Sequence, residues 1–265
     1  MSLSESKLKI DARRKRIRDI LQQEGRVDVN MLSDALRVTQ VTIRNDLAVL
    51  EREGYLLRTQ GGAVRIPAAV ADTAENAAIQ NAKQKQAIGA TVARMIKDAD
   101  TLFINSGTTS EYIAQALKIR RELNVVTNSL KVASILGSVP TFRVLLVGGE
   151  INTQFGFTHG GDAQDQLGKY QADWAILSVD GISAQGGVTT HHAQEAVIDR
   201  MMVQASKRRI IAADSSKIGR AGFSRVCECS TERMVLVTDG DGDPQVLAQL
   251  TRCGVTVHRA GDMQV

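Results

Sequence analysis

Two periods of apolar residues divide the chain. From Ala12 to about Leu50 the apolar positions recur at helical spacing. Ile17, Ile20 and Leu21 mark one face of a helix over Ala12–Glu24 that Gly25 ends, and Leu32, Ala35 and Leu36 mark a second over Asn30–Leu36. Ile43, Leu47 and Leu50 mark a third, which begins at Gln40 with Thr39 as N-cap. Arg26–Val29 reads as a short extended piece. After Gly54, Tyr55–Arg58 and Ala63–Ile66 flank Thr59-Gln60-Gly61-Gly62, the composition of a β-hairpin turn. Three helices with a tight turn before the last, then a hairpin, predict a winged helix-turn-helix module over residues 1–66, whose last helix enters a DNA major groove.

From about Ile79 short continuous apolar runs alternate with helical patterns. Helices are expected through Lys85–Ile96, Glu111–Leu117, Leu130–Leu136 and Ala193–Ser206. Strands are expected at Thr101–Ile104, Asn124–Thr127, Phe142–Val147, Trp174–Val179, Arg209–Ala213, Met234–Thr238 and Val255–His258. Alternation of this kind predicts a larger α/β domain over residues 79–265 with a mostly parallel sheet covered on both faces. The segment 67–78 begins at one of three prolines and has no apolar period, so it reads as a linker.

Charge sharpens the division. Residues 1–66 hold 13 of the 33 Lys and Arg but 9 of the 29 Asp and Glu, so they carry the whole formal excess of +4, and the 20 basic and 20 acidic residues that remain cancel. A polyanion-binding module requires such placement, whereas three helices and a hairpin alone would equally suit a dimerisation domain. The face of the third helix opposite its apolar stripe carries Gln40, Thr42, Arg44, Asn45 and Arg52, with Thr39 at its start. These side chains match base edges and phosphates, Arg suiting guanine and Asn or Gln adenine. Arg58, Gln60 and Arg65 belong to the hairpin, where basic side chains lie against the phosphate backbone.

Composition is otherwise that of a globular protein, 43% hydrophobic and 23% charged. No apolar run reaches membrane-spanning length and the N-terminus has no apolar core of a signal peptide, so a cytoplasmic protein without membrane association is expected. Three cysteines, Cys227, Cys229 and Cys253, form no disulfide framework or zinc pattern. His159 and the adjacent His191 and His192 lack a carboxylate cluster at ligand spacing. No metal, cofactor or catalytic residue is assigned.

In open α/β sheets ligands sit beyond the carboxyl ends of the strands. Here those ends run into Asn105-Ser106-Gly107-Thr108-Thr109, Thr127-Asn128-Ser129, Gly148-Gly149, Asp180-Gly181, Gly187-Val-Thr-Thr190 and Asp214-Ser-Ser-Lys217. Glycines let backbone N–H groups approach an anion, hydroxyls add donors, and a helix N-terminus after Ser106-Gly107 adds its dipole. Lys85 and Lys217 are candidate countercharges and Glu195 a candidate acceptor for sugar hydroxyls, a surface ion pair being the alternative for each. Together these residues suit a phosphate carrying a polyol.

Val38-Thr-Gln-Val-Thr-Ile-Arg-Asn-Asp-Leu47, Leu50-Glu51, Gly54, Arg58 and Gly61-Gly-Ala63 resemble the N-terminal signature of the DeoR family of bacterial transcriptional regulators. The strand-end motifs, with Lys85 and Glu195-Ala196, resemble that family's sensor domain in the same order. The resemblance implies a repressor, usually of a sugar-catabolic operon, whose sensor domain is similar to ribose-phosphate isomerases and binds a phosphorylated sugar that releases operator DNA. A homodimer, or a homotetramer built from dimers, placing two reading helices in successive major grooves of the operator is expected. Gln60 stands where the family usually has His, Asn45 where Arg is common, Asn105 where Asp is frequent, and His159-Gly-Gly161 where Val-Gly-Pro is usual. The rival expectation is an isomerase-like enzyme with an appended nucleic-acid-binding domain. In the isomerases' Asp-Gly-Ala-Asp pattern the matching positions are Leu177, Ser178, Val179 and Asp180, one acid short, and no Lys lies between Asp180 and Glu195.

Overall fold

The computed structural model describes residues 3–52, 55–65, 81–229 and 233–261. The chain divides into two compact units, Met1–Ala82 and Lys83–Val265. The segment 67–78, expected as a linker, lies outside the described residues.

The first unit contains helices α1 (Leu3–Glu24), α2 (Val29–Leu36) and α3 (Gln40–Arg52) and strands β1 (Arg26–Asp28), β2 (Leu56–Thr59) and β3 (Gly62–Arg65). Local chemistry sets the helix starts. The Asp28 carboxylate accepts from Asn30 N–H at 2.7 Å, and the Thr39 hydroxyl accepts from Thr42 N–H at 3.2 Å. Arg37, at φ +52°, ends α2 in the left-handed conformation. Ile17, Leu21, Leu32, Ile43, Leu47 and Leu50 meet Val27, Leu56 and Ala63 in one core. Ala35, expected in that core, is exposed, while Leu36 beside it is partly buried against the core.

The expected two-stranded hairpin is part of a three-stranded antiparallel sheet, in the order β1-β3-β2. A side chain at Gly62 would collide with the Val27 carbonyl, so glycine is what lets β3 lie against β1. Asp46, almost fully buried on α3, accepts from Nε of Arg13 at 2.6 Å and of Arg14 at 2.9 Å, which ties α3 to α1.

The second unit is built on seven parallel strands in the order β15-β14-β12-β9-β4-β5-β6. These are β4 (Thr101–Ile104), β5 (Asn124–Thr127), β6 (Arg143–Leu146), β9 (Ala172–Ser178), β12 (Ser206–Ala212), β14 (Met234–Thr238) and β15 (Thr256–Arg259). Alternate residues of each strand feed two cores. Leu102, Ile104, Ile176 and Ile210 pack beneath α4 (Ala82–Met95), α5 (Thr108–Leu117) and α6 (Leu130–Gly137). Phe103, Ala175, Leu177 and Ile211 pack beneath α7 (Gly161–Leu167), α8 (Ala193–Gln204) and α9 (Pro244–Arg252). Burial on both faces is why these strands read as continuous apolar runs.

Several short elements were absent from the sequence expectation. β7 (Glu150–Asn152) and β8 (Phe157–His159) form a hairpin. β10 (Gly181–Ser183), β11 (Gly187–Thr190) and β13 (Ser224–Cys227) form a small antiparallel sheet. Sequences such as Glu-Ile-Asn, Gly-Ile-Ser and Gly-Val-Thr-Thr give no continuous apolar run of the kind that marks the parallel strands. For α9 the signal was present, with Asp243 capping Gln245 N–H, Pro244 in the first turn, and Leu247 and Leu250 buried.

Candidate functional site

On the first unit, the face of α3 away from the core exposes Gln40, Val41, Arg44 and Asn45, with Thr42 half-buried at its margin. Arg44 Nη2 donates to Gln40 Oε1 at 3.3 Å, one turn back. The Thr39 and Thr42 hydroxyls lie 2.9 Å apart in the first turn. Arg58 and Gln60 are exposed at the β2–β3 turn, where Glu51 Oε1 accepts from Arg58 N–H at 3.0 Å and so joins the wing to α3. The side chains of Arg52 and Arg65 lie outside the described residues.

On the second unit, the carboxyl ends of β4, β9 and β12 carry several of the expected pocket residues. Asn105, fully buried after β4, has every side-chain polar atom engaged. Its Nδ2 donates to Ser178 O at 2.9 Å and to Asp199 Oδ2 at 3.0 Å. Its Oδ1 accepts from Ser178 N–H at 2.8 Å and the Ser110 hydroxyl at 3.0 Å. These bonds fasten β4 to β9, α5 and α8.

Ser106 and Glu195 meet across the site. The Ser106 hydroxyl donates to Glu195 Oε1 at 2.6 Å, and Thr190 Oγ1 lies 2.6 Å from Glu195 Oε2 and 3.1 Å from Asp180 Oδ2. A threonine hydroxyl carries one proton. Thr190 thus offers its one proton to two carboxylates, Glu195 and Asp180. Burial pushes the Glu195 carboxyl above the usual carboxylate range, opposed by the hydrogen bonds from Ser106 and Thr190. Asp199, one turn along α8 and fully buried, is pushed well above that range, first by burial and then by Glu195. Asp180 responds oppositely. Burial alone would raise it, but Lys217 Nζ at 3.6 Å, His191 N–H at 2.8 Å and the Thr190 hydroxyl together hold it below the usual value.

Gly107, at φ +124°, precedes α5, and among the described residues no side chain caps the helix, whose first turn begins with Thr108 and Thr109. A side chain at Gly107 would meet Ser178 Oγ at 2.7 Å. Lys85, only 5% exposed on α4, is pulled down to about 8 by burial, opposed by Asp214 and helped by Lys217, with Glu111 of α5 also raising it. Lys85 thus lies in the field of both α5 and the short 3-10 turn Ser215–Lys217 after β12.

The other expected residues make contacts within the fold. Thr127 Oγ1 accepts from Ser129 N–H, Ser129 Oγ caps α6 through Val132 N–H, and Asn128 Nδ2 donates to Thr158 O. Gly148 N–H donates to Gln166 at 2.8 Å, and Gly149, at φ +132°, lets the backbone pass His159. Gly181 and Gly187 make room for the backbones of Arg220 and Cys227. Thr158, Thr190 and Asp199 carry connections that the sequence reading did not assign. Thr190 stood within a recognised motif, whereas an aspartate on a helix ordinarily reads as solvent-facing. Cys227 and Cys229 are free thiols, raised by burial to about 12 and about 11. His192 packs on Phe155, ring centroids 4.4 Å apart.

Comparison with known proteins follows the same division. Residues 13–68 match the DeoR-like helix-turn-helix domain, and residues 80–240 match the DeoR C terminal sensor domain. A protein of Escherichia coli O157:H7 assigned as the aga operon transcriptional repressor is 32% identical, over 94% of both chains. The glycerol-3-phosphate regulon repressor of Escherichia coli K12 is 32% identical, over 76% of this chain and 80% of its own. Among solved structures, ribose 5-phosphate isomerase A from Methanocaldococcus jannaschii aligns at 12% identity and a TM-score of 0.40, over 52% of this chain and 55% of that one. With both of its units matched in order and relatives alike over most of their length, the chain belongs to the DeoR family of transcriptional regulators.

Proposed function

We propose that the protein represses a carbohydrate-catabolic operon and leaves its operator when a phosphorylated sugar binds the second unit. The observation that carries the effector half is the uncapped start of α5 at Gly107, on a helix whose Glu111 shares an electrostatic field with buried Lys85, as Lys217 does. Backbone amides, a helix dipole and two ammonium groups are what a phosphate requires. The relatives' names, a glycerol-3-phosphate regulon repressor and an aga operon repressor, support the same ligand class. Ser106, Thr108, Thr109, Asp180 and Lys217 are the proposed contacts, and Glu195 orients Ser106 and Thr190 rather than holding sugar hydroxyls itself.

In the DNA half, Gln40, Arg44 and Asn45 read bases, while Thr39, Thr42, Arg58 and Gln60 contact the backbone. A dimer, or a tetramer of dimers, sets the spacing of two α3 helices, and the effector favours the arrangement that does not fit the operator. Cytoplasmic location follows from that role. No helix among the described residues is long and apolar enough to cross a membrane.

The protein acts without catalysis in this reading. Both Glu195 oxygens are engaged by hydroxyls, whereas an isomerase base must have a face open to its substrate's proton. Incubation of the purified protein with pentose phosphates is expected to give no interconversion, and turnover would support the enzyme instead. Arg44→Ala is expected to weaken operator binding by about 1–3 kcal/mol, measured by fluorescence anisotropy at fixed salt. Unchanged affinity would remove Arg44 from the reading face.

A further inference from the structure

The DNA-facing side of α3 has an apolar centre. At about 100° per residue, Val41 lies opposite the buried Ile43, Leu47 and Leu50. It is 63% exposed, flanked on its own surface by Gln40, Arg44 and Asn45, all exposed and all hydrogen-bonding. Helix stability does not account for it, since a β-branched residue has lower helix propensity than alanine. The core does not account for it either, since the buried stripe is on the other side.

The occupant that fits this position follows from base chemistry. In a major groove every hydrogen-bonding edge is polar, and the apolar group presented there is the methyl on C5 of a pyrimidine. Polar neighbours on both sides and the basic balance of residues 1–66 point to nucleic acid rather than to an apolar protein surface. We propose that Val41 is a specificity residue that reads the C5-methyl group of a pyrimidine in the operator, the methyl of thymine or of 5-methylcytosine. Arg44 and Asn45 stand three and four residues further along the helix, about 5–6 Å away between Cβ atoms. That distance corresponds to one or two base steps of about 3.4 Å. The methylated pyrimidine therefore lies one or two base pairs from the guanine or adenine that those side chains read. This inference rests on the DNA-reading role of α3 proposed above.

The test uses the full chain and duplexes that it enriches from a random library. In an enriched duplex each thymine is replaced in turn by uracil, which removes only the C5-methyl, and binding is measured by fluorescence anisotropy at fixed salt. Wild-type protein is expected to lose affinity about fourfold at one position per half-site, the effect of one buried methyl. Val41→Ala is expected to bind the thymine and uracil duplexes equally at that position. Cytosine and 5-methylcytosine placed there, each opposite guanine, separate the two sources of the methyl: tighter binding of the methylated base extends the reading to both, and no difference restricts it to thymine. Uracil tolerated at every position, or Val41→Ala showing the same penalty as wild type, overturns the proposal. Failure to enrich any sequence removes the DNA-reading role of α3 and the Val41 assignment with it.

Discussion

Asp199 and Glu195 stand one turn apart on the same face of α8, and the fold buries both. Two like charges at that spacing oppose each other even on an exposed helix. Asp199 Oδ2 accepts from the Asn105 amide, and its Oδ1 has no hydrogen-bond partner. A carboxyl held above its usual range keeps a proton in the folded state that the unfolded chain has released. Its contribution to stability is full below the unfolded value of 3.8 and declines as pH rises toward the folded one. Asp199→Asn, which fixes the neutral state, is expected to raise the thermal midpoint of the second unit at pH 7 and to change it less at pH 4. Equal shifts at both would show that Asp199 is ionised in the fold. Lys85 gives the opposite case, a base lowered to about 8 by burial. An anionic effector needs its protonated form, so affinity is expected to be full below pH 8 and to fall above it. Lys85→Gln is expected to cost about 1.5–3 kcal/mol of effector binding and to flatten that decline, read by isothermal titration. A decline that persists in the variant would place the titrating group elsewhere.

At the level of elements, glycine decides whether the wing forms. Gly62→Ala places a methyl on the Val27 carbonyl, so β1 and β3 must separate or shift. A cost of about 1–3 kcal/mol is expected. It is read as lost hydrogen-exchange protection in β1 and β3 with protection in the second unit unchanged; retained protection would mean that the strands relax without separating. The elements legible in the sequence were those with a helical period or a continuous apolar run, namely the helices of the first unit and the strands of the parallel sheet. Those that escaped were of two kinds. β7, β8 and β10 have three residues each. β1 was read as extended, but its partner β3 lies more than thirty residues away and only the fold brings them together. Candidate site residues followed the same rule. Ser106, Asp180 and Lys217 are legible as polar residues at strand ends, whereas the bonds that engage Asn105 come in part from α8 and β9, far along the chain.

The whole molecule pairs a basic module, residues 1–66 with a formal excess of +4, with an α/β unit whose strand ends suit a phosphate. Neither half alone makes a metabolite switch. A DNA reader without a sensor is constitutive, and a sensor without a reader has no output. The account therefore stands on energetic coupling between them, which requires the effector to bind the two states of the protein unequally. Lys217 is the group through which to break it, since its ammonium lies 3.6 Å from Asp180 and belongs to the sensor unit alone. The most direct measurement is an anisotropy titration of labelled operator, bound to the full chain, with a panel of phosphorylated sugars, on wild type and on Lys217→Ala. The predicted result is release from wild type by at least one compound, with the variant holding operator as tightly as wild type and ignoring that compound. Operator affinity unmoved by every phosphorylated sugar, or a variant that responds as wild type does, would contradict the account.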